Sequence, residues 1–309
     1  MIDDLNEMPN SIKNIVVVGQ GAIGLLYYHH FTQQQYSVSL KASTETCQNN
    51  LKYSFSAYDN KDTTNLFPLK YAQPVDIQQA DMIIFCLKSY QVANAVKELA
   101  RLVAPHCLLF FAHNGMGVYE EIVEYFTPNQ KLLAMLTTHG CLRSSALTIK
   151  HTGLGKTDLG LLKGKVSENE IKTFIKLFNN AIPLAEYHQN IKEKQWLKLA
   201  INCAINPITA LYNIENGQVM QERFAVIITN ILKEVVKIAK SQQIELSLDS
   251  LEDIVKKVAN DTAKNSSSMR CDLLAKRPTA IDYINGYIHR LGEQYNIATP
   301  ENSRLWKEV

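Results

Sequence analysis

The chain of 309 residues is 46% hydrophobic and 20% charged, and its formal net charge is +2. The length predicts two domains, and so small a charge predicts no binding to nucleic acid or to an anionic membrane surface. No apolar run is as long as a membrane span, and the acidic, polar N-terminus lacks the pattern of a signal peptide. Six cysteines lie far apart without a C-x-x-C pair, which predicts reduced thiols in a cytoplasmic protein and no metal site.

Short β-rich runs alternate with helical stretches in the first half of the chain. Continuous apolar strands between helices indicate a parallel sheet with helices on both faces. The predicted elements are strands over 15–18, 37–40, 82–87 and 108–111 and helices over 22–32 and 93–103. Further strands are expected to extend this sheet over 132–137, 147–151 and 182–187, with a helix over 168–179.

After Tyr187 the strand pattern ends and helical patterns follow. They cover 190–211, 218–241, 249–263 and 281–296, and 264–279 is expected to be a loop. The predicted fold class is α/β: an N-terminal Rossmann-type doubly wound sheet in residues 1–188 and an all-α C-terminal domain in residues 189–309.

A glycine-rich loop follows the first predicted strand, IVVV, and leads into a helix. Its sequence GQGAIG fits G-x-G-x-x-G, the spacing with which a strand, a tight turn and a helix bind a dinucleotide. The glycines allow close backbone approach, and the helix offers free N–H groups to a pyrophosphate. We therefore expect the cofactor to be bound by Gly19, Gly21, Ala22, Ile23 and Gly24.

The end of the second predicted strand favours NADP(H) over NAD(H). An NAD site usually places an acidic residue about 20 residues after the loop, to bind the ribose 2′-OH. Here no acid occurs between Glu7 and Glu45, and the strand ends at Lys41, with Ser43 and Thr44 following. A lone lysine at a strand end is more often a solvated loop residue, so the missing acid carries most of this prediction.

Two further strand ends carry polar residues, and sheets of this class bind ligands beyond the carboxyl ends of their strands. MIIFCL leads into Lys88, and CLLFFA leads into His113 and Asn114. Asn114 is expected to orient a nicotinamide ribose or a substrate, although Asn-Gly is also a common turn dipeptide. His113 is more often a packed loop histidine than an acid or base.

The segment WLKLAINCAINPITAL, residues 196–211, is apolar apart from one polar stripe. Lys198, Asn202 and Asn206 recur at every fourth position and Thr209 follows, so all four lie on one face of a helix. Buried Lys and Asn side chains need partners, which predicts a wet cleft or a polar ligand beside a buried helix. Pro207 also leaves the carbonyl of residue 203 without its helical donor. The alternative is a surface helix with a narrow polar face, but such helices usually have the opposite proportions.

A nicotinamide site together with a buried stripe of lysine and asparagines predicts hydride transfer to or from a carbon that bears oxygen. Lys198 is expected to donate the proton, because partial burial lowers the pKa of a lysine, and its charge polarises the carbonyl. Asn202 and Asn206 are expected to orient a small polar substrate.

The motifs of the chain, taken in order, resemble those of the ketopantoate reductase (2-dehydropantoate 2-reductase) family almost from end to end. They are VVGQGAIG, CLKSYQ, HNGMG, TTHG, WLKLAINCAINPITA, NSSSM, IDYINGY and PENSRL. The resemblance implies NADPH-dependent reduction of 2-dehydropantoate to (R)-pantoate in the pantothenate pathway to coenzyme A. It implies roles for Lys198 in catalysis, for Asn114, Asn202, Asn206 and Ser268 at the substrate, with Ser268 at its carboxylate, and for Lys88 and Asn114 at the cofactor.

The chain departs from the family pattern at two positions. Ala280 stands where the family has a glutamate, and Asp282 lies about 200° further round a helix. The usual arginine after the second strand aligns near Ser43. The alanine leaves two alternatives open: a reductase of another small 2-oxo acid, or a non-catalytic NADP(H)-binding sensor. The expected partner is a small 2-oxo acid, and the expected state is a monomer or homodimer.

Overall fold

The computed structural model describes residues 12–34, 36–43, 51–59 and 64–309. The chain forms two compact units: an α/β unit up to His113 that also includes Tyr119–Ile191, and a helical unit of Asn114–Val118 and Lys192–Val309. The expected division at residue 188 between cofactor and substrate domains stays a prediction. Thr44 lies outside the described residues.

The α/β unit confirms the α/β fold class. Its strands are β1 Asn14–Val18, β2 Ser37–Lys41, β3 Lys52–Ser56, β4 Asn65–Pro68, β5 Met82–Phe85, β6 Leu108–Phe111, β7 Lys131–Thr137, β8 Gly140–Ser145, β9 Thr148–Gly153, β10 Thr157–Lys163 and β11 Ala185–Tyr187. Its helices are α1 Ala22–Thr32, α2 Pro74–Gln78, α3 Ser89–Leu99 and α5 Glu168–Ala181, and α4 Val118–Ile122 begins in the helical unit and ends here.

Seven strands form the main sheet, in the order β11-β10-β7-β6-β5-β1-β2. The five strands from β7 to β2 are parallel, whereas β10 runs antiparallel to β7. Strands β5 and β6 are buried along their whole length, as their continuous apolar sequences predict. The strand order reverses at β1, because β2 lies on one side of it and β5 on the other. Ligands of such sheets bind beyond the strand ends at this switch point.

A second sheet of four strands, in the order β4-β3-β9-β8, was not predicted. The expectation that residues 147–151 extend the main sheet is therefore wrong, because residues 148–151 belong to β9 and Leu147 lies in the turn before it. Strand β9 pairs with β8 as an antiparallel hairpin and with β3 as a parallel neighbour. Burial in β9 alternates along the strand, as in sheets that bury one face, whereas the core strands of the main sheet are buried throughout.

Four histidines of the α/β unit form a cluster, hereafter the histidine cluster: His29, His30, His139 and His151. Ring centroids are 5.2 Å apart for His29 and His30, 5.8 Å for His30 and His151, and 5.5 Å for His139 and His151. Burial is the main cause that lowers the pKa of His29 and His139 to about 4 and that of His30 to about 3. These histidines are therefore neutral at physiological pH.

Residues 188–309 contain no strand, which confirms the predicted all-helical C-terminal region. The helices are α6 Ile191–Leu211, α7 Glu222–Ser241, α8 Leu248–Asp261, α9 Ser268–Leu274, α10 Asn285–Tyr295 and α11 Pro300–Glu308. Helix α9 lies within the segment expected to be a loop, and α11 was not predicted. None of the described helices is long and apolar enough to cross a membrane.

Candidate active site

At positions 19 and 24, in the loop between β1 and α1, only glycine fits, because the surrounding backbone leaves no room for a Cβ. Gly19 has φ +113°, and its N–H donates to the carbonyl oxygen of Lys41 at 2.8 Å. A Cβ on Gly19 would lie 2.3 Å from the carbonyl oxygen of Cys86, and one on Gly24 would lie 1.9 Å from that of Gly19. These two glycines hold the end of β1 against β2 and β5 and pack α1 against the turn.

Gly21 has no such requirement within the chain. A Cβ there would meet only the Cys86 oxygen, at 3.9 Å. Helix α1 begins at Ala22, with no side-chain cap on Gly21 and no acid in the first turn. The N–H groups of a first helical turn lack intrahelical acceptors and carry a partial positive charge. The space beside Gly21 fits a pyrophosphate approaching the backbone at Ala22 and Ile23.

Two lysines lie at strand ends beside this loop. Lys41 ends β2 and pairs in register with Val18, the last residue before the glycine loop. Its Nζ lies 3.6 Å from an exposed carboxylate of Glu98, a separation at which an ion pair contributes little energy. Lys88 follows β5 and precedes α3, where its N–H donates to Gln91 Oε1 at 3.2 Å. Both lysines therefore lie at the switch-point edge of the main sheet.

Asn114 belongs to the helical unit although it follows strand β6 in sequence. The loop after it packs against the segment before α10: the N–H of Met116 donates to the carbonyl oxygen of Tyr283 at 2.8 Å. Gly115 has φ +82°, and a Cβ on it would lie 2.2 Å from that same oxygen. The glycine thus lets the loop that carries Asn114 pack closely against Tyr283.

The polar stripe lies on α6, a helix packed into the core of the helical unit as predicted. Lys198 and Asn202 are half-buried, Asn206 is buried and Thr209 is inaccessible to solvent. The Nδ2 atom of Asn202 is buried and has no hydrogen-bond partner among the residues that the structure describes. A buried amide donor without an acceptor is costly, and a ligand oxygen would remove that cost.

Thr209, at the end of the stripe, forms hydrogen bonds within the helical unit. Its hydroxyl donates to the carbonyl oxygen of Asn206 at 2.8 Å and is hydrogen-bonded to Ser267 Oγ at 2.7 Å. Ser267 caps α9 by accepting the N–H of Arg270 at 3.1 Å. Ser268, the predicted carboxylate-binding residue, is the exposed first residue of α9. Thr209 therefore links α6 to the turn that presents Ser268.

Sequence reasoning missed a buried network beside the stripe. Asn285 Nδ2 donates to the carbonyl oxygen of Cys203 at 3.3 Å, the carbonyl that Pro207 leaves without a helical donor. Asn285 also bonds Asn302, which in turn bonds Glu234. The available signal was the orphaned carbonyl itself, which requires a donor from elsewhere in the fold.

Ala280, where the resemblance predicts a glutamate, is half-buried. Ala280 packs against the core of the helical unit, next to the turn that precedes α10. Asp282, two residues further on, accepts a hydrogen bond from Trp306 Nε1 at 2.7 Å through its Oδ1.

Comparison with known proteins finds the same family in both parts of the chain. Residues 15–164 match the model of ketopantoate reductase PanE/ApbA, and residues 190–309 match the model of its C-terminal part. The 2-dehydropantoate 2-reductase of Vibrio cholerae is 36% identical over 296 residues, which cover 96% of each chain. The chain belongs to the ketopantoate reductase family. It is an oxidoreductase, and the resemblance found in the motifs is confirmed.

Solved structures share this fold at lower identity. The ternary structure of D-mandelate dehydrogenase with NADH and anilino(oxo)acetate has a TM-score of 0.86 at 21% identity, covering 95% of this chain and 96% of that one. The dimeric ketopantoate reductase from Staphylococcus aureus has a TM-score of 0.78 at 18% identity, covering 95% of this chain and 96% of that one. At these identities the likeness shows the fold alone.

Proposed function

We propose that this ketopantoate reductase family member reduces 2-dehydropantoate to (R)-pantoate with NADPH, a step of pantothenate biosynthesis, and that Lys198 donates the proton. The observation that carries the proposal is the stripe of Lys198, Asn202 and Asn206 on a helix embedded in the core of its unit. The Vibrio cholerae relative, which carries the name of this reaction, supports the choice of substrate.

The glycine loop supports a nicotinamide dinucleotide as the cofactor. Gly19 and Gly24 shape the turn, while Gly21 leaves room for a pyrophosphate at the start of α1. The proposed preference for NADPH is supported by the missing acid and by Lys41, a cationic residue whose backbone pairs in register with Val18, just before the loop. D-Mandelate dehydrogenase binds NADH, so the preference within this fold is open to test. When bound, the cofactor supplies the hydride.

The side chains of the helical unit would complete the reaction. Hydride addition at the C2 carbonyl carbon leaves an alkoxide, and Lys198 Nζ transfers a proton to that oxygen. Before the transfer, the ammonium group polarises the carbonyl. The buried Nδ2 of Asn202 offers a donor to a substrate oxygen, and Asn206 lies one turn further along the helix. Ser268 is proposed to bind the carboxylate, and Asn114 to contact both cofactor and substrate.

Ala280 favours a second candidate, a reductase of a different small 2-oxo acid. Its methyl group offers a substrate neither a hydrogen bond nor a charge, and Oδ1 of the nearby Asp282 accepts from Trp306 Nε1. A site that lacks one polar group can prefer a different substrate by orders of magnitude.

One assay separates these functions and the sensor alternative: oxidation of NADPH or NADH with 2-dehydropantoate and a panel of small 2-oxo acids. The proposal predicts the highest kcat/KM for 2-dehydropantoate with NADPH. Preference for another panel member would support the second candidate. NADPH binding without turnover of any member would support a non-catalytic sensor.

We further propose that the enzyme is cytoplasmic, acts without nucleic-acid or membrane partners, and is a monomer or homodimer. The dimer of the Staphylococcus aureus relative makes a homodimer a reasonable expectation. Light scattering coupled to size exclusion would give the mass directly.

A further inference from the structure

Pro207 interrupts helix α6 within the polar stripe. A proline has no amide hydrogen, so the carbonyl oxygen of Cys203 loses its helical donor, and prolines at such positions bend helices. Lys198 and Asn202 precede the interrupted turn, while Asn206 lies inside it. The geometry of this one turn therefore sets how Asn206 faces the two residues before it.

Asn285, the first residue of α10, supplies the missing donor. Its Nδ2 lies 3.3 Å from the Cys203 oxygen and 2.9 Å from Asn302 Oδ1, so both amide hydrogens are used. Both partners are acceptors. To bond both acceptors, a side chain at this position must have two hydrogens on one atom. A serine hydroxyl has one hydrogen to donate and an aspartate carboxylate has none.

Glu234 on α7 fixes the orientation of this network. Its carboxylate accepts from Asn302 Nδ2 at 2.7 Å and from the N–H groups of Glu301 and Asn302, each at 2.9 Å. These N–H groups begin α11, so the negative charge lies at the positive end of that helix. Because an ionised carboxylate only accepts, Asn302 presents its nitrogen to Glu234 and its oxygen to Asn285.

The network is closed to water. Asn285 and Asn302 are 0% exposed and Glu234 is 6% exposed. Water therefore cannot readily take over a donor that a substitution removes, and the unsatisfied acceptor bears the full desolvation cost. Asn285 thus links the Cys203 carbonyl, which lacks a helical donor, to Asn302 on α11 and through it to Glu234 on α7.

We propose that Asn285 is a positioning residue: together with Pro207 it holds the interrupted turn of α6 in the shape that aligns Asn206 with Lys198 and Asn202. The inference rests on the proposed function, in which these three side chains contact the substrate. Asn285 affects the reaction only through α6.

The test is a double-mutant cycle of Pro207→Ala, Asn285→Leu and the double variant. Asn285→Leu should lower the folding equilibrium constant about 10- to 100-fold, because two buried acceptors lose their donor. Pro207→Ala returns a backbone donor to the Cys203 oxygen. In the Pro207→Ala background, the fold by which Asn285→Leu lowers the folding equilibrium constant should therefore be about ten times smaller, as measured by denaturant unfolding.

Activity separates positioning from a purely structural role. Pro207→Ala should stay at least as stable as the wild type, yet lower kcat/KM for 2-dehydropantoate on the order of 100-fold, because small misplacements are costly to catalysis. NADPH affinity should not change. Thr229→Val is the matched control, since it removes a 2.6 Å hydrogen bond from the Thr229 hydroxyl to Glu252 Oε1, which joins α7 to α8 in the same unit. It should lower stability and leave kcat/KM unchanged.

Additive stability losses, or unchanged kcat/KM in both Pro207→Ala and Asn285→Leu, would overturn the inference. A wild-type protein that reduces no 2-oxo acid would overturn the proposed function instead. The stability cycle alone would then decide whether Asn285 holds α6.

Discussion

The two units each contain a buried cluster of polar side chains, but of different chemistry. In the histidine cluster of the α/β unit, Nε2 of His30, Nε2 of His139 and the ring nitrogens of His151 are buried without hydrogen-bond partners among the described residues, whereas His139 Nδ1 accepts the N–H of Gly155 at 3.0 Å. In the helical unit, Asn302 is joined to Glu234 through short hydrogen bonds that fix the orientation of its amide, and in the adjoining Asn285 only Oδ1 has no partner among the described residues. Buried neutral histidines make a unit sensitive to acid, whereas a network of hydrogen-bonded amides makes it sensitive to the loss of one donor. Different perturbations should therefore affect the two units separately.

Acid should produce the largest effect, and it should fall on the α/β unit. The pKa values of about 4 for His29 and His139 and about 3 for His30 lie below the 6.5 expected after unfolding. The unfolded chain then binds more protons, so stability is full above pH 6.5 and falls as the pH drops toward 4. At pH 5 each of these histidines should lower the free energy of unfolding by about 2 kcal/mol.

His30→Leu makes the acid prediction specific to the cluster. Denaturant unfolding of wild type and variant at pH 7 and pH 5 should show a pH-dependent loss about 2 kcal/mol smaller in the variant. Equal losses in the two proteins would mean that the cluster does not govern acid stability.

Gly24→Ala should be the next most damaging change. The new methyl group would lie 1.9 Å from the carbonyl oxygen of Gly19, so the turn and α1 must separate. We expect a loss of about 3 kcal/mol in unfolding free energy, measured in denaturant. A variant as stable as the wild type would show that the turn is not packed as described.

Gly21→Ala is the matched substitution three residues earlier, and it sharpens the contrast within the loop. The added methyl meets only one chain atom, at 3.9 Å, so stability should change little. NADPH affinity should fall about tenfold, because the methyl occupies space needed by the pyrophosphate. Calorimetric titration would measure the NADPH affinity. An unchanged affinity would mean that the pyrophosphate does not bind beside Gly21.

Ala280→Glu should have the smallest effect, and it lies in the helical unit. If the protein is a family member weakened by the missing acid, kcat/KM for 2-dehydropantoate should rise by up to about tenfold. A fall in this kcat/KM, together with a preference of the wild type for another 2-oxo acid in the assay panel, would mean that Ala280 suits a different substrate.

The glycine loop and the polar stripe could be predicted from sequence because each is local. Gly19, Gly21 and Gly24 lie within six residues, and the stripe follows from helical periodicity alone. Pro207 indicated that the Cys203 carbonyl lacks a helical donor. The side chain that donates to it, Asn285, lies 82 residues further along the chain, so no local pattern connects the two.

The second sheet was missed for the same reason. Its central pair, β3 and β9, joins Phe55 to Ile149 across the chain, and only tertiary packing brings such strands together. The segment 147–151 was predicted as a strand, yet its pattern does not say which sheet it joins. Alternating burial distinguishes the two sheets, and this alternation is visible only once the partners are known.

The most direct test of the central claim compares wild type with Lys198→Ala for NADPH binding and for turnover of 2-dehydropantoate. Lys192→Ala, an exposed lysine at the start of the same helix, is the control. The account predicts nearly unchanged NADPH affinity in both variants, with kcat about 10³-fold lower in Lys198→Ala only. Full turnover in Lys198→Ala would contradict Lys198 as the proton donor.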